Sequence, residues 1–467
     1  MYKVKLIFTF LFAFSVTANA LIKNVPSQFS TIQSAIISSS NGDTILVQPG
    51  TYMENINFRG KKIVLTSRYY QNNDYSFIQS TIINGSTPVY PDSASCVLII
   101  NNEDSTTVLQ GFTITGGGGT KWTDEHGAGL YREGGGILVA YCNPVIQHNI
   151  VKDNHCELGG VTSTGGGGMR IGDCYAKVFN NVVTNNSARY GAAIVLNYAG
   201  GEYRNNLIYK NYGSQDYGAG SSFWLNNNFS RPRIIENNTI VFNSAVAEVP
   251  GILAFSGVQG IVRNNIIWGN TSPSNIQVFG SSLTVRYCNI QNGFSGAGNI
   301  NINPLFDTTN YYLRIGSPCV DKGDSSTVYN DPPDPINPTL ARWPSRGGLR
   351  NDMGAYGGPV SSVIANTIVS VSISGNLINP EDFMLKQNYP NPFNPSTVIS
   401  YELAVGSFVS LKVFDILGNE VAVLSNGKQN TGRHEVEFDA KNFPSGIYLY
   451  TLKTESFTET KSMILLK

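Results

Sequence analysis

One asparagine recurs through the middle of this chain and restricts what the chain can become. Aligning the Asn that opens each short apolar run gives Asn149, Asn181, Asn206, Asn238, Asn265 and Asn289, at intervals of 32, 25, 32, 27 and 24 residues. A second Asn follows five residues later in five of the six: Asn154, Asn186, Asn211, Asn243 and Asn270. Asn also precedes the first column at Asn180, Asn205, Asn237 and Asn264. Between the columns lie apolar pairs such as Ile150-Val151, Val182-Val183 and Ile266-Ile267, and Gly111 to Gly116 reads as an earlier copy with Gly at both Asn positions. A unit this short cannot enclose a core, so the units must stack as a solenoid. The runs are short and β-branched, which predicts strands rather than helices. Parallel strands about 4.8 Å apart set like residue on like, and Asn on Asn forms an amide ladder. The columns are therefore read as structural.

A Gly-rich lead-in precedes most units. Gly136, Gly168 and Ala193 each stand 13 residues before Asn149, Asn181 and Asn206, and Gly251 stands 14 before Asn265. The variable length must therefore lie between the second Asn and the lead-in. That places insertions at 117–133, 155–165 and 212–219, all expected on one side, where solenoids commonly build a binding face. The 32-residue offset shared by Cys142 and Cys174 predicts that these two stack directly.

Lys+Arg and Asp+Glu are both 32, and charged residues are only 14% of the chain. A balanced charge excludes the basic face of a nucleic-acid binder. Residues 1–20 read as a signal peptide: Lys3 and Lys5, an apolar run from Leu6 to Val16, then Ala18-Asn19-Ala20. Export permits disulfides, yet the six cysteines match no zinc spacing and include no C-x-x-C.

Two resemblances follow from longer motifs. Phe29 to Ile36, then Gly42-Asp43-Thr44-Ile45-Leu46-Val47-Gln48-Pro49-Gly50-Thr51-Tyr52 with Glu54, resembles the opening of pectin-lyase-like β-helix proteins. Asn303-Pro304-Leu305-Phe306, Ser317 to Asp321 and Asp352 to Gly357 resemble their end. The resemblance implies a right-handed parallel β-helix over 21–358 with an N-terminal capping helix, in a fold that hosts lyases, hydrolases, epimerases and adhesins alike. Leu385 to Thr397 (LKQNYPNPFNPST), Val413 to Gly418, Gly432-Arg433-His434, Ser445 to Tyr448 and Lys461 to Lys467 resemble a type IX secretion sorting domain. Alternation along Ser410 to Phe414 and Glu435 to Phe438 independently predicts a small antiparallel β-sandwich over 383–467. Residues 359–382 are read as a linker. The tail's resemblance implies passage through the outer membrane, with the type IX machinery as partner.

The insertions carry the side chains that could act. Trp122, Tyr131, Tyr190, Tyr212 and Tyr217 offer faces for sugar rings, and Asp124, Glu125, His126, Glu157, Arg189 and Asp216 offer hydrogen bonds. A lyase on this fold would need a Lys or Arg base, drawn here from Lys152, Arg170, Arg189 and Lys210, and often calcium, with Asp153, Asp173 and Asp216 as ligand candidates. Those acids do not form one column: Asp153 aligns with Asn185, Lys210, Phe242 and Gly269, and Asp173 with Tyr141 and Tyr198. The carboxylate motifs of polygalacturonase-type hydrolases are absent. The expectation is an all-β, monomeric protein, secreted or surface-attached, that engages extracellular polysaccharide. A non-catalytic adhesin and a uronate lyase are the competing classes. A charged column along one sheet would favour the lyase. No residue is assigned a catalytic or metal-binding role, and calcium is the one cofactor the lyase route would often use.

Overall fold

A computed structural model describes residues 20–466 apart from 124, 125, 128, 157, 158, 215–221, 247, 248, 256, 308, 309, 315, 336, 365–383, 389, 404–406, 430, 431, 455 and 456. The signal peptide expected over 1–20 therefore lies almost wholly outside the described residues. The chain divides into two units, 1–369 and 370–467.

The first unit is a parallel β-helix with three long sheets. Sheet 1 has ten strands, from Ile22–Val25 to Leu283–Arg286; sheet 2 has nine, from Gly50–Met53 to Asn289–Ile290; sheet 3 has eight, from Ile56–Asn57 to Val278–Phe279. A representative coil runs Ile137–Ala140 in sheet 3, Val145–Gln147 in sheet 1 and Ile150–Lys152 in sheet 2, and the next coil repeats it in register at Met169–Gly172, Tyr175–Phe179 and Val182–Thr184. Like side chains stack in the core: Ile146, Val178, Tyr203, Ile235, Val262 and Val285 form one row. Cys142 and Cys174 keep their offset between the pairs Ala140↔Gly172 and Val145↔Lys177, and all six cysteines are buried free thiols.

Each corner turns on one residue with left-handed backbone. Between sheets 1 and 2 these residues are His148, Asn180, Asn205, Asn237, Asn264 and Tyr287, with φ from 52 to 57. After sheet 2 they are Asp153, Asn185, Lys210, Phe242 and Gly269. Asn tolerates this conformation better than most residues, which explains the doubled asparagines. The ladder Asn comes one residue later and points inward. Nδ2 of Asn149 donates to Asn181 Oδ1 at 3.1 Å, Asn181 to Asn206 at 3.1 Å, Asn206 to Asn238 at 3.0 Å and Asn238 to Asn265 at 3.0 Å. The second ladder runs from Asn154 through Asn186, Asn211 and Asn243 to Asn270, at 2.9–3.0 Å, and ends on Gln277 Oε1. An amide carries a donor and an acceptor, so identical residues can bond in series.

Two alignments were one residue out. Gly111 and Gly116 occupy the left-handed positions (φ 84 and 76), so the ladder places belong to Phe112 and Gly117, whose N–H groups donate to Asn149 and Asn154. Asn289 pairs with Ile266, which puts Cys288 beneath Asn265; Asn289 instead donates to Ile302 O at 2.7 Å. The left-handed residue and the ladder residue are adjacent and both favour Asn, so sequence spacing alone could not separate them.

Helix α1, Ile32–Ser38, buries Ile32, Ala35 and Ile36 against the first coil. Thr31 caps it, and both carboxylate oxygens of Glu54 accept from its first N–H groups, at 2.9 Å each. Those N–H groups have no partner within the helix, so the anion at this end is stabilising.

The insertions at 117–133 and 155–165 meet in one small sheet. Gly119–Thr123 and Leu130–Glu133 form a hairpin, with Trp122 opposite Tyr131, and Leu130–Glu133 pairs with Ser163–Gly165. Tyr212–Gly213 lies instead in a short ladder with Ser187–Ala188 and Ser244–Ala245. Not all added length is on this side. Thirteen residues separate Ala193 from Asn206, but sixteen separate their register partners Ser222 and Asn238. The extra residues form a loop at 227–232, at the corner between sheets 3 and 1.

The C-terminal part of this unit returns along the outside of the coils. Asn264 accepts from Asp324 N; Asn237 donates to Asp352 O and Gly354 O; Asn205 donates to Ala355 O and Gly357 O; Asn180 donates to Val360 O. The outward corner asparagines thus fasten a strap across four successive coils. Ile364 is buried in an apolar cluster with Val182, Leu207 and Tyr356, so the packed body extends past 358 into the stretch read as linker.

The second unit has two antiparallel sheets. One is ordered Met384–Leu385, Ser396–Leu403, Gly432–Asp439; the other is Glu420–Gln429, Ser407–Phe414, Gly446–Lys453, Thr458–Leu465. Their inner faces share a core that includes Leu385, Tyr401, Leu411, Val413, Tyr450 and Met463.

Candidate functional site

Sheet 3 turns a second row of side chains away from the core: Leu98, Leu138, Arg170, Val195, Trp224 and Leu253, on successive strands. The inserted hairpin covers part of this row. Trp122 packs on Leu98, Leu138 and Ala140, and the Arg170 guanidinium lies 5.6 Å from the Trp122 ring centroid. Arg170 is fully buried, and its Nε donates to Glu133 Oε2 at 3.1 Å. Tyr190 donates to the other oxygen of Glu133 at 2.7 Å, and its ring rests 4.6 Å from Trp224. Burial, then the Glu133 charge, pushes the Tyr190 phenol well up. The expectation that Tyr190 offers an open stacking face is therefore corrected: it is 6% exposed and serves the floor beneath the hairpin. Arg170 is corrected likewise, since a buried, ion-paired guanidinium is not placed to act as a base.

Beyond this floor the hairpin reaches the corner between sheets 3 and 1. Tyr141, Asp173 and Tyr198 hold the left-handed position there in three successive coils, with φ of 57, 49 and 49. His126 stacks on Tyr198 with centroids 3.5 Å apart, and its Nε2 lies 3.0 Å from Asp173 Oδ1. Trp122 stands 6.5 Å from Tyr141, which is 45% exposed. The result is a ridge of aromatic, acidic and aromatic corner residues, buttressed by a tryptophan and an imidazole from the hairpin.

The other expected residues that the structure describes do not join it. Asp124, Glu125, Glu157, Asp216 and Tyr217 lie outside the described residues. Tyr131 faces Tyr190 in an edge contact, Arg189 reaches Thr162 O, and Tyr212 is exposed on the separate three-stranded ladder. Asp153 pairs with Lys152, and Asp173 with His126, so these two calcium candidates stand apart. The ridge residues Tyr141 and Tyr198 were absent from the expected set, although their intervals around Asp173 already marked a column.

Sheet 1 does carry a charged column: Arg204, Glu236, Arg263 and Arg286 occupy one register position on consecutive strands. Glu236 is bonded by both Arg204 and Arg263. The strap covers the column, with Tyr329 against the Arg263 guanidinium and Asp324 beside Arg286. The column is thus covered by the protein's own chain. The strap itself buries Asp331 and Asp352. Burial, and for Asp331 also the charge of Asp352, raises both carboxyls well above their usual range.

In the second unit the motif 388–397 builds a compact turn. Asn388 Nδ2 donates to Pro390 O and Thr397 Oγ1 at 3.0 Å each, and Asn388 N donates to the Tyr450 hydroxyl. Asp415 Oδ1 accepts from Leu417 N and Asn419 N at 2.9 Å, closing the turn in which Gly418 takes φ 86. Residues 387–466 match the family described as the secretion system C-terminal sorting domain. The tail is a sorting domain. No curated protein matches the chain.

The sorting domain makes this a secreted protein or one attached to the outer-membrane surface, and makes the type IX machinery its partner in export. Its motif residues are explained by folding: Asn388, Thr397, Asp415, Gly418 and Tyr450 each hold a turn or join the tail's segments.

Proposed function

We propose that the exported β-helix binds extracellular polysaccharide along the corner carrying Tyr141, Asp173 and Tyr198. The observation that carries this reading is His126, stacked on Tyr198 and bonded to Asp173 on the neighbouring coil. Successive coils lie about 4.8 Å apart, a repeat comparable with one pyranose ring, so a linear glycan can meet one corner residue per sugar. Aromatic faces receive the apolar sides of the rings, while Asp173 and His126 receive hydroxyls. The body fits the pectin-lyase-like group, exported as a monomer after loss of residues 1–20; the α1 cap held by Thr31 and Glu54 supports that assignment.

The test is glycan-array binding with Trp122→Ala and Tyr198→Asn, Asn being chosen because it tolerates the left-handed backbone. Each should weaken binding by roughly tenfold, the scale of one lost aromatic contact. Unchanged binding in both variants overturns the proposal.

One observation favours a lyase as the second reading: an imidazole oriented by a carboxylate is an acid–base arrangement. His126→Asn would then abolish formation of unsaturated uronate product, followed by ultraviolet absorbance. A wild-type protein that binds glycan without forming such product is not a lyase.

A further inference from the structure

The corner that carries the ridge continues past Tyr198. Asn227 takes the same left-handed position in the next coil, with φ 53. The lengthened loop after it borders a surface cavity of 520 Å³ whose lining includes Phe229, Arg231, Arg233, Gln259, Ser282 and Thr284. Two guanidiniums line this cavity, and none of its lining residues is acidic.

The two arginines are held differently. Arg231 is exposed, and its guanidinium lies 3.4 Å from the Tyr175 ring centroid. A guanidinium stacked on a ring bonds other groups through its edge. Glu202, the carboxylate whose charge reaches Tyr175, is engaged by Arg204 at 3.3 Å and Lys177 at 4.0 Å. Arg233 is 2% exposed. It donates to the carbonyls of Gln259, Asn226 and Asn227, but its Nε is buried without a partner and, among the described residues, no carboxylate pairs with it.

That last fact separates Arg233 from the other buried arginines described. Arg170 has Glu133 and Arg263 has Glu236. Carbonyl dipoles solvate a buried cation without neutralising it, and a desolvated charge with no counterion is costly. Burial lowers the Arg233 pKa to about 10, which still leaves it protonated at neutral pH. The cavity thus has a fixed positive floor, a second cation at its edge, and hydroxyl and amide groups around it.

We infer that this cavity takes the anionic group, a sulfate ester or a carboxylate, of a saccharide lying along the same corner. The inference rests on the polysaccharide reading above and adds that the glycan is acidic, with its charge placed beyond the aromatic ridge. Both groups offer several acceptor oxygens to guanidinium N–H donors, and such charge-assisted bonds are about twice as strong as neutral ones.

The test uses the full-length protein and oligosaccharides of one backbone in neutral, carboxylated and sulfated forms, with inorganic sulfate as a separate probe. Arg231→Gln removes the exposed cation without touching the core. The wild type should bind one acidic form at least roughly tenfold more tightly than the neutral form, and Arg231→Gln, which leaves the Arg233 floor in place, should reduce that advantage about threefold while neutral binding stays unchanged. Which acidic form binds more tightly identifies the group, and competition by inorganic sulfate supports the sulfated one. Equal affinity for neutral and acidic forms, or an acidic advantage left undiminished by Arg231→Gln, overturns the inference. If Trp122→Ala abolishes binding while Arg231→Gln has no effect, the cavity falls and the ridge stands. If Arg231→Gln weakens acidic binding that Trp122→Ala leaves intact, the cavity stands and the ridge falls. No binding of any saccharide or of sulfate overturns both.

Discussion

Replacing Asn206 by Ala should destabilise the β-helix more than any single surface change. Asn206 is fully buried at the centre of the first ladder. Its Nδ2 donates to Asn238 Oδ1 at 3.0 Å and Val178 O at 2.9 Å, and its Oδ1 accepts from Asn181 N and Nδ2 at 3.1 Å each. Four bonds are lost at about 1 kcal/mol net apiece, and the groups left behind are buried where water does not replace the amide. The expected cost is roughly 3–5 kcal/mol. Asn265→Ala is the internal comparison. Its Oδ1 accepts from Asn238 N and Nδ2, and its Nδ2 donates to Ile235 O at 2.8 Å and Arg263 O at 2.9 Å, so four ordinary bonds are again lost and the cost should be similar, the 3.8 Å contact with Cys288 Sγ adding little. Urea unfolding followed by circular dichroism measures both, with the slopes compared because a solenoid can unfold in parts. Amide exchange at Asn181 should report the damage locally. A cost below about 1 kcal/mol for Asn206→Ala would refute the reasoning: the columns would then set register without contributing stability.

Glu133→Gln should cost roughly 3–5 kcal/mol, because it leaves the Arg170 cation fully buried without its carboxylate; adding Arg170→Met should recover much of the loss in thermal unfolding. Asp331 and Asp352 have raised folded pKa values, so the folded state holds protons that the unfolded chain has released. Their contribution is complete below the ordinary carboxylate range, near pH 4, and is lost as pH rises toward the folded values. The melting temperature should therefore fall from mildly acidic to mildly alkaline buffer, and Asp331→Asn should flatten that slope; an unchanged slope would show that this pair does not set it. Deleting residues 383–467 should leave the β-helix folded but retained in the cell, and normal yield of the truncated protein in the medium would refute the role of the tail.

The sequence alone determined what repeats. Asn181, Asn206 and Asn238 recur because each coil must satisfy the same buried corner, and that local demand, stated once per coil, is visible as a period. The capping helix and the sorting domain were legible for a similar reason: Thr31, Glu54, Asn388 and Asp415 act over short spans, closing turns or helix ends within a few tens of residues. Tertiary structure decided what does not repeat. Nothing local to His126 says that it will meet Asp173 and Tyr198, because the hairpin's position follows from Trp122 packing on Leu98 and Leu138. Tyr190 reads as an open ring until Glu133 is found 2.7 Å from its hydroxyl. The asparagines before the ladder read as turn formers; only the folded chain shows Asn180 and Asn205 fastening Val360 and Ala355. A periodic contact is written into every copy of the repeat, whereas a contact made once, between distant segments, leaves no pattern and exists only when packing brings its partners together.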